Sequence, residues 1–215
     1  DSDYNNIGSP TRKGYSFDGW FDKGGTKVYD NSGVALKGTY WSKSGTSGHY
    51  QYSGNLTVYA HWSPHTYTVS YIGNGNTGGS TASSKHTYDK AQALTTNGFT
   101  KTGYSFSGWN TKSDGSGTAY ANKASVKNLT SSNDVTIKLH AQWSAKSYTL
   151  TYNGNGGTTP AAKTALYDSK WGTLSTSTRI GYVFVGWYDA ASGGVRITSD
   201  TLCIGNKTVY AHWKP

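Results

Sequence analysis

One cluster of residues constrains this chain more than any other feature. The cluster Gly-Tyr-x-Phe-x-Gly-Trp occurs three times, at residues 14–20, 103–109 and 181–187. Each copy is followed downstream by a segment in which apolar and polar residues alternate, and these segments end at Trp62, Trp143 and Trp213. Signals that recur in a fixed order at this kind of spacing are typical of tandem repeats. The sequence therefore predicts three repeats in succession.

A further signal sets the boundaries of the repeats. A Tyr-Thr-x-x-Tyr segment followed by a Gly-Asn-rich run begins at Tyr67 and at Tyr148 and has no counterpart before the first cluster. We therefore expect a second repeat at residues 67–143, a third at residues 148–215, and a first at residues 1–62 that lacks its opening strand and carries an enlarged loop. Without an initial Met, a signal peptide or an apolar span, the sequence reads as part of a longer protein.

The composition favours strands and turns over helices. The chain contains 28 Gly, 18 Tyr, 8 Trp and no Met, and all of its acidic residues are Asp. Glu and Met favour helices, whereas aromatic and β-branched residues favour strands. Because repeats of roughly 60–80 residues are close to the lower size limit for a stable core, large aromatic rings are expected to form most of it. The predicted core residues are Tyr15, Phe17, Trp20, Trp62, Tyr104, Phe106, Trp109, Trp143, Tyr182, Phe184, Trp187 and Trp213.

Local patterns indicate the order of elements within a repeat. In the closing strand of the second repeat, Ile137 and Leu139 alternate with polar residues, as in a half-buried strand. The Gly-Asn run at residues 153–157 predicts a hairpin turn. Asp89 and Asp168 precede the only stretches where a short helix is plausible, and each could cap its start. The predicted fold class is α+β, mainly β, with a small mixed sheet and one crossing element per repeat.

Together these motifs resemble the Listeria–Bacteroides repeat, also called the B repeat of the internalin family of Listeria surface proteins. The likeness rests on the opening strand at Tyr148, the cluster that begins Arg179-Ile-Gly-Tyr and the closing Val209-Tyr-Ala-His-Trp. The resemblance implies β-grasp-like units in tandem on bacterial surface proteins, and hence an extracellular location at the cell surface or cell wall.

Short linkers join the predicted repeats, at residues 63–66 and 144–147. Four residues reach no further than about 14 Å when fully extended, which favours neighbours held end to end over independent domains. We therefore expect an elongated, monomeric rod that acts as a stalk and as a module for protein interaction or adhesion.

An alternative reading is a module that binds a carbohydrate or an anionic polymer through exposed aromatic and basic residues. The net charge is +9, but the basic residues are scattered and match no nucleic-acid-binding motif, so a solvated surface is the favoured explanation of the charge. Exposed aromatic residues could form a platform for a host or bacterial surface protein or a glycan, or could fold back over the sheet. The candidate residues for partner binding are Tyr40, Trp41, Tyr50, Tyr52, Tyr59, His61, Tyr210 and His212.

The sequence offers no constellation for catalysis. No combination of acid, base and nucleophile recurs from one repeat to the next, and Cys203 stands alone in an apolar context that predicts a small buried residue. His61, His140 and His212 do not form a metal-binding motif. We therefore expect no enzymatic activity, cofactor, metal ion, nucleic acid partner or membrane insertion.

Overall fold

A computed structural model describes residues 7–36, 42–43, 50–51 and 55–215. The strands of the first repeat are β1 (Tyr15–Phe21), β2 (Lys27–Tyr29), β3 (Ser42–Lys43), β4 (Tyr50–Gln51) and β5 (Tyr59–Pro64). Those of the second are β6 (Thr66–Ile72), β7 (Gly78–Gly79), β8 (Ser84–Thr87), β9 (Gln92–Ala93), β10 (Phe99–Thr100), β11 (Tyr104–Asn110), β12 (Ala119–Tyr120), β13 (Ser125–Val126) and β14 (Thr136–Ala145). Those of the third are β15 (Ser147–Asn153), β16 (Lys163–Leu166), β17 (Val183–Tyr188), β18 (Arg196–Ile197) and β19 (Lys207–Lys214).

The third repeat forms a mixed sheet of five strands in the order β16-β15-β19-β17-β18. The opening strand β15 runs parallel to the closing strand β19, with Leu150 opposite Lys207. The other neighbouring strands are antiparallel. The closing strand therefore lies between the opening strand and β17, which carries the Gly-Tyr-x-Phe-x-Gly-Trp cluster and is called the aromatic strand below. This arrangement confirms the predicted mixed sheet.

The second Gly of each cluster forms a bulge in the aromatic strand. The register between aromatic and closing strands shifts just before Gly19, Gly108 and Gly186, which have φ values of +128°, +143° and +151°. L-residues with a side chain rarely adopt such values, so Gly is required there. The bulge also brings the strand close to its neighbour, because a Cβ atom on Gly19 would overlap the carbonyl oxygen of Tyr29.

The Gly-Asn turn after the opening strand holds the closing strand in place. Asn155 has a φ of +46°, and its side-chain amide donates to the carbonyls of Ala191 and Ala211 over 2.9 and 3.0 Å. The indole of Trp213 donates to the carbonyl of Gly154 over 3.0 Å. The second repeat has the same set of bonds, made by Asn74, Ser113, Ala141, Trp143 and Gly73.

The opening strand supplies part of the core in the third repeat and has no counterpart in the described sheet of the first. In the third repeat, Leu150 and Tyr152 of β15 are buried with Trp187 and Val209 in one apolar cluster. Among the described residues of the first repeat, the sheet has the order β2-β1-β5, and only Val28 and Tyr29 are buried in its core cluster. Trp20, which corresponds to Trp187, is accordingly only half-buried.

The chain divides into two compact units that do not coincide with the repeats. The first unit comprises Asp1–Tyr71, Ala82–Thr96 and Lys123–Leu139, and the second comprises Ile72–Thr81, Asn97–Asn122 and His140–Pro215. In the first unit, β14 lies beside β6, which pairs with β8. In the second unit, the later residues of β14 pair with β11, which pairs with β12. The second repeat therefore contributes to both units.

The α-helical part of the predicted fold class is wrong for the described residues, which form strands, turns and loops without a helix. Asp89 and Asp168 have φ values of +61° and +63°, so they form left-handed turns instead of helix caps. The amides of Asp168 and Trp171 bond to the carbonyls of Cys203 and Thr201 over 2.8 and 2.9 Å, which replaces helical bonding. The described repeats are therefore all-β, and the β-grasp likeness stays a prediction. No described segment is a helix long and apolar enough to cross a membrane.

Candidate functional site

The linkers between repeats are shorter than the sequence suggested, because the strands extend into them. The closing strand β5 ends at Pro64 and the opening strand β6 begins at Thr66, which leaves only His65 between them. In the same way, only Lys146 separates β14 from β15. A linker of one residue brings the end of one repeat against the start of the next.

Successive repeats meet at a joint, which consists of the first Gly and Tyr of one aromatic cluster together with the linker residue and the Tyr-Asp turn of the next repeat. In the first joint, the His65 amide donates to the Gly14 carbonyl over 2.8 Å, and the Tyr88 amide donates to the His65 carbonyl over 2.8 Å. The second joint has the same two bonds at the same distances, and its residues are Gly103, Lys146 and Tyr167. Each joint lies within one compact unit.

The first Gly of the cluster is needed in each joint for two reasons. Gly14 and Gly103 have φ values of +78° and +75°, which a residue with a side chain adopts only with strain. In addition, a Cβ atom on Gly14 would overlap the ring of Tyr88, and one on Gly103 would overlap the ring of Tyr167. The Gly therefore allows the turn and also the close approach of the next repeat.

Aromatic rings pack edge to face across both joints. The ring centroids of Tyr15 and Tyr88 lie 5.8 Å apart at an interplanar angle of 79°. Those of Tyr104 and Tyr167 lie 5.6 Å apart at 72°. A cation covers the first Tyr of each pair: Arg12 is 3.8 Å from the Tyr15 centroid, and the second joint uses Lys101 over Tyr104 at 4.4 Å. These contacts add cation–π attraction to the ring packing.

The first joint also contains a polar cluster around Asp89. Its carboxylate accepts hydrogen bonds from the Asn128 side-chain amide over 2.8 Å and from the Tyr15 hydroxyl over 2.9 Å. The Lys127 ammonium lies 3.5 Å away. These contacts lower the pKa of Asp89, first through Asn128 and next through Tyr15, and the same hydrogen bond to Asp89 is the main cause of a raised pKa for Tyr15.

The predicted core residues fall into two groups. Trp109 and Trp187 are buried, and the other Trp and Phe residues of the set are half-buried. The Tyr of each cluster instead lies at the end of its repeat: Tyr15 and Tyr104 contact the next repeat, and Tyr182 is 39% exposed. The sequence alone does not mark the joint, because Tyr-Asp recurs at residues 88–89 and 167–168 but also occurs outside the joints, at 29–30 and 188–189.

The candidate residues for partner binding on the closing strands lie beside aromatic neighbours. His61 is exposed and stacks on Phe21 with centroids 4.0 Å apart, and Tyr59 next to it is 48% exposed. His212 stacks on Tyr188 at 3.9 Å in the third repeat, where both His212 and Tyr210 are half-buried. The loop candidates Tyr40, Trp41 and Tyr52, and the side chain of Tyr50, lie outside the described residues.

The described part of the chain shows few features of a reactive site. No group of three His, Cys or Asp residues in this part is placed to hold a metal ion. Cys203 is fully buried in the core of the third repeat, with its sulfur 3.5 Å from the Ala165 carbonyl oxygen, in line with the predicted small buried residue. An open groove of about 430 Å³ beside Trp109, Tyr120 and Gln142 has no charged residue in its lining.

Comparison with known proteins identifies relatives along most of the chain. Residues 1–61, 67–138 and 148–212 match the Listeria-Bacteroides repeat domain. A protein of Evansella cellulosilytica named "Putative Gly-rich membrane protein" is 30% identical over 96% of this chain and 23% of its own length. Another from that organism, named "Putative membrane protein", is 26% identical over 95% of this chain and 27% of its length. Internalin H of Listeria monocytogenes is 34% identical over 53% of this chain and 20% of its length.

The chain thus spans only about a fifth to a quarter of these relatives. No solved structure matches the chain.

Proposed function

Because the chain belongs to the Listeria-Bacteroides repeat family, we propose that it is a spacer within a bacterial surface protein, in which each repeat is held to the next by the same joint. The observation that carries this proposal is the recurrence of the joint, with the same backbone bonds and ring packing in both places. A flexible tether requires no specific contact between neighbouring domains. Relatives named as membrane proteins and as internalin H support the surface location.

The joint resists bending because several contacts would have to break together. Each hydrogen bond contributes about 0.5–1.5 kcal/mol, and each aromatic pair contributes a similar amount. The backbone bond to the Gly carbonyl and the ring pair, which link the two repeats of each joint, thus favour the closed arrangement by roughly 1–3 kcal/mol, about two to five times the thermal energy. We infer that the repeats form an elongated rod, which small-angle X-ray scattering tests. A compact globule of this length would have a radius of gyration of about 17 Å, and a rod exceeds that value.

A distance measurement between spin labels tests the rigidity of the second joint. Labels at Lys112→Cys and Ser192→Cys, which are exposed positions in the second and third repeats, should give one narrow distance distribution. The buried Cys203 should stay unlabelled. Insertion of five Gly and Ser residues before Lys146 should broaden the distribution, whereas the same insertion in the exposed loop after Ala161, remote in sequence from both labels, should leave it narrow. An equally broad distribution in the unmodified chain would show that the joint does not act as a rigid spacer.

A second candidate function is adhesion to a glycan or an anionic polymer, and the stacked pairs on the closing strands favour it. Phe21 and His61 lie almost parallel, at 12°, and Tyr59 beside them is half exposed. Flat rings of this kind offer large contact area at low entropy cost to a sugar face or a protein side chain. The basic residues of the chain could add attraction to an anionic polymer.

Retention of the purified chain on matrix proteins, glycans and bacterial wall polymers tests the adhesive function. Binding that persists at physiological salt and falls at least tenfold in Tyr59→Ala, but not in the control Thr57→Ala, would support it. Retention that disappears when salt is added would reflect net charge alone, because salt screens exposed charges beyond about 8–10 Å. In that case the chain is a spacer without adhesive function.

A further inference from the structure

Each joint has a receiving half, formed by the first Gly and Tyr of the aromatic cluster, and a donating half, formed by the linker residue and the Tyr-Asp turn of the next repeat. The third repeat has the same receiving half as the first two repeats. The first Gly of its cluster, Gly181, has a φ of +77°, against +78° and +75° in the others. The Tyr182 amide donates to the Arg179 carbonyl over 3.1 Å, which matches 3.1 and 3.0 Å for the corresponding bonds in the first and second repeats. The Arg179 guanidinium lies 3.9 Å from the Tyr182 ring centroid, as Arg12 does over Tyr15 at 3.8 Å.

This third receiving half is open where the other two are covered. Gly14 and Gly103 are buried under a Tyr ring of the next repeat, whereas a Cβ atom on Gly181 would meet nothing within 4 Å. Tyr182 is correspondingly more exposed than Tyr15 and Tyr104. In the first and second repeats this surface is therefore covered by the next repeat. In the third repeat the surface has the same shape and the same cation–π pair, but no described residue covers it.

We propose that the surface of Arg179, Gly181 and Tyr182 binds the linker residue and Tyr-Asp turn of a further repeat of the same kind. In both joints the occupant supplies an N–H for the Gly carbonyl and a Tyr ring that packs against the Gly Cα. Among the described residues, only Tyr88 and Tyr167 are followed by an Asp with positive φ, and both of these turns already occupy a joint. A second copy of the described chain thus has no free turn to offer.

The sequence register defines how such a repeat connects. The linker residue follows the terminal Trp of the closing strand by three positions in both joints, since His65 follows Trp62 and Lys146 follows Trp143. The residue that would follow Pro215 stands in the same relation to Trp213. Fusion of a second copy of residues 146–215 directly after Pro215 therefore recreates the register of the second joint.

This fusion tests the proposal, which rests on the proposed spacer function and names what the spacer binds at this surface. Hydrogen exchange of the Lys146 amide in the appended copy reports docking, because in the second joint that amide donates to the Gly103 carbonyl of the preceding repeat. We expect protection similar to that of the Lys146 amide in the parent second joint, and a loss of at least tenfold when five Gly and Ser residues are inserted after Pro215. We also expect a comparable loss in the fusion carrying Tyr182→Ala.

The same substitution in the unextended chain is the matched control. Tyr182→Ala should change its unfolding midpoint little, because the ring has no neighbouring repeat to contact.

Equal exchange in the fusion and its inserted variant would overturn the proposal, as would equal effects of Tyr182→Ala in the fused and unextended chains. Concentration-dependent dimerisation of the unextended chain that Tyr182→Ala abolishes would also overturn it, since the occupant would then be a second copy. Narrow label distances across the second joint in any of these cases would leave the spacer function intact.

Discussion

The hydroxyl of Tyr15 donates a hydrogen bond of 2.9 Å to the carboxylate of Asp89, although 74 positions separate the two residues in the sequence. One residue belongs to the first repeat and the other to the second, so this bond links successive repeats. Neither side chain is buried, and the bond shows its effect in the ionisation of the two groups. Asp89 raises the pKa of Tyr15, and Tyr15 helps to lower the pKa of Asp89.

The Tyr15–Asp89 bond predicts a change in the titration of Tyr15. Asp89→Asn should bring the pKa of Tyr15 down towards its ordinary value near 10, because the main cause of the upward shift is removed. Asn also tolerates the positive φ of this position, so the turn should persist. Titration followed by the NMR signal of the Tyr15 ring carbon bonded to oxygen measures the effect. An unchanged Tyr15 titration in the variant would show that the hydrogen bond does not form in solution.

A buried histidine predicts acid sensitivity in the second repeat. His86 is fully buried, its Nε2 lies 2.9 Å from the Ser84 hydroxyl, and burial lowers its pKa. The unfolded chain, in which the His pKa is about 6.5, therefore binds more protons than the folded chain below that pH. Stability should fall as the pH drops from about 6.5 through the lowered pKa of the folded state.

Thermal unfolding at pH 7 and pH 5 measures this effect, with His86→Phe as the variant that cannot titrate. The drop in midpoint between the two pH values should be larger in the wild type than in the variant. The corresponding residue of the third repeat is Ala165, opposite Tyr148, so that repeat lacks this source of acid sensitivity. Identical pH dependence in wild type and variant would assign the acid effect to other groups.

The Gly-Asn turn predicts a specific loss of stability on removal of one side chain. Asn155→Gly keeps a residue that accepts the positive φ but removes the two hydrogen bonds to Ala191 and Ala211. At about 1 kcal/mol for each bond, the third repeat should lose roughly 1–3 kcal/mol of unfolding free energy. Urea unfolding followed by Trp fluorescence measures this loss. A loss below about 0.5 kcal/mol would mean that water replaces the bonds without cost.

The opening strand predicts a large effect of truncation in the core. Leu150→Ala removes a fully buried side chain and should cost about 2–5 kcal/mol of unfolding free energy. Leu166→Ala on neighbouring β16 is the matched control, because Leu166 is 54% exposed and its loss should stay within about 0.5 kcal/mol. The same urea experiment compares them. Equal effects of the two substitutions would contradict the burial of β15.

The burial of Cys203 predicts slow reaction with thiol reagents. Its exposed fraction is 0%, so a reagent reaches the sulfur only when the third repeat opens. Modification by an aromatic disulfide should be at least about 100-fold slower in buffer than in denaturant. Leu150→Ala should speed the reaction in buffer, since it lowers the free energy of opening, whereas Leu166→Ala should not. Immediate reaction of the folded wild type would place the thiol at the surface.

The sequence predicts the strands well because burial of one face of a strand gives a local alternation of apolar and polar residues. Ile137 and Leu139 alternate with exposed Thr136 and Lys138, as expected from the period of two. The helix caps predicted at Asp89 and Asp168 are wrong for a physical reason, because Asp is favoured both as a helix cap and in left-handed turns. The partners that stabilise the turns are remote in sequence: the Asn128 side chain for Asp89 and the Cys203 carbonyl for Asp168.

The joints lay beyond prediction because their contacts are remote in sequence. Whether Tyr15 or Tyr182 is covered depends on the neighbouring repeat and not on the residues around it. An aromatic residue in a recurring cluster was therefore assigned to the core, as is usual for large rings. The one-residue linkers were missed because strand ends fray into their flanking residues and carry no sharp sequence signal.

The division of each joint between two repeats has a consequence for how the parent gene can change. The second and third repeats each carry one donating Tyr-Asp half followed by one receiving Gly-Tyr half, as Tyr88 and Gly103 do in the second repeat. Unequal recombination that adds or deletes one whole repeat therefore rejoins a donor to a receiver in register, without any compensating substitution. Shifts that are not a whole repeat separate the halves. The length of the array can thus vary in discrete steps while every remaining interface stays intact.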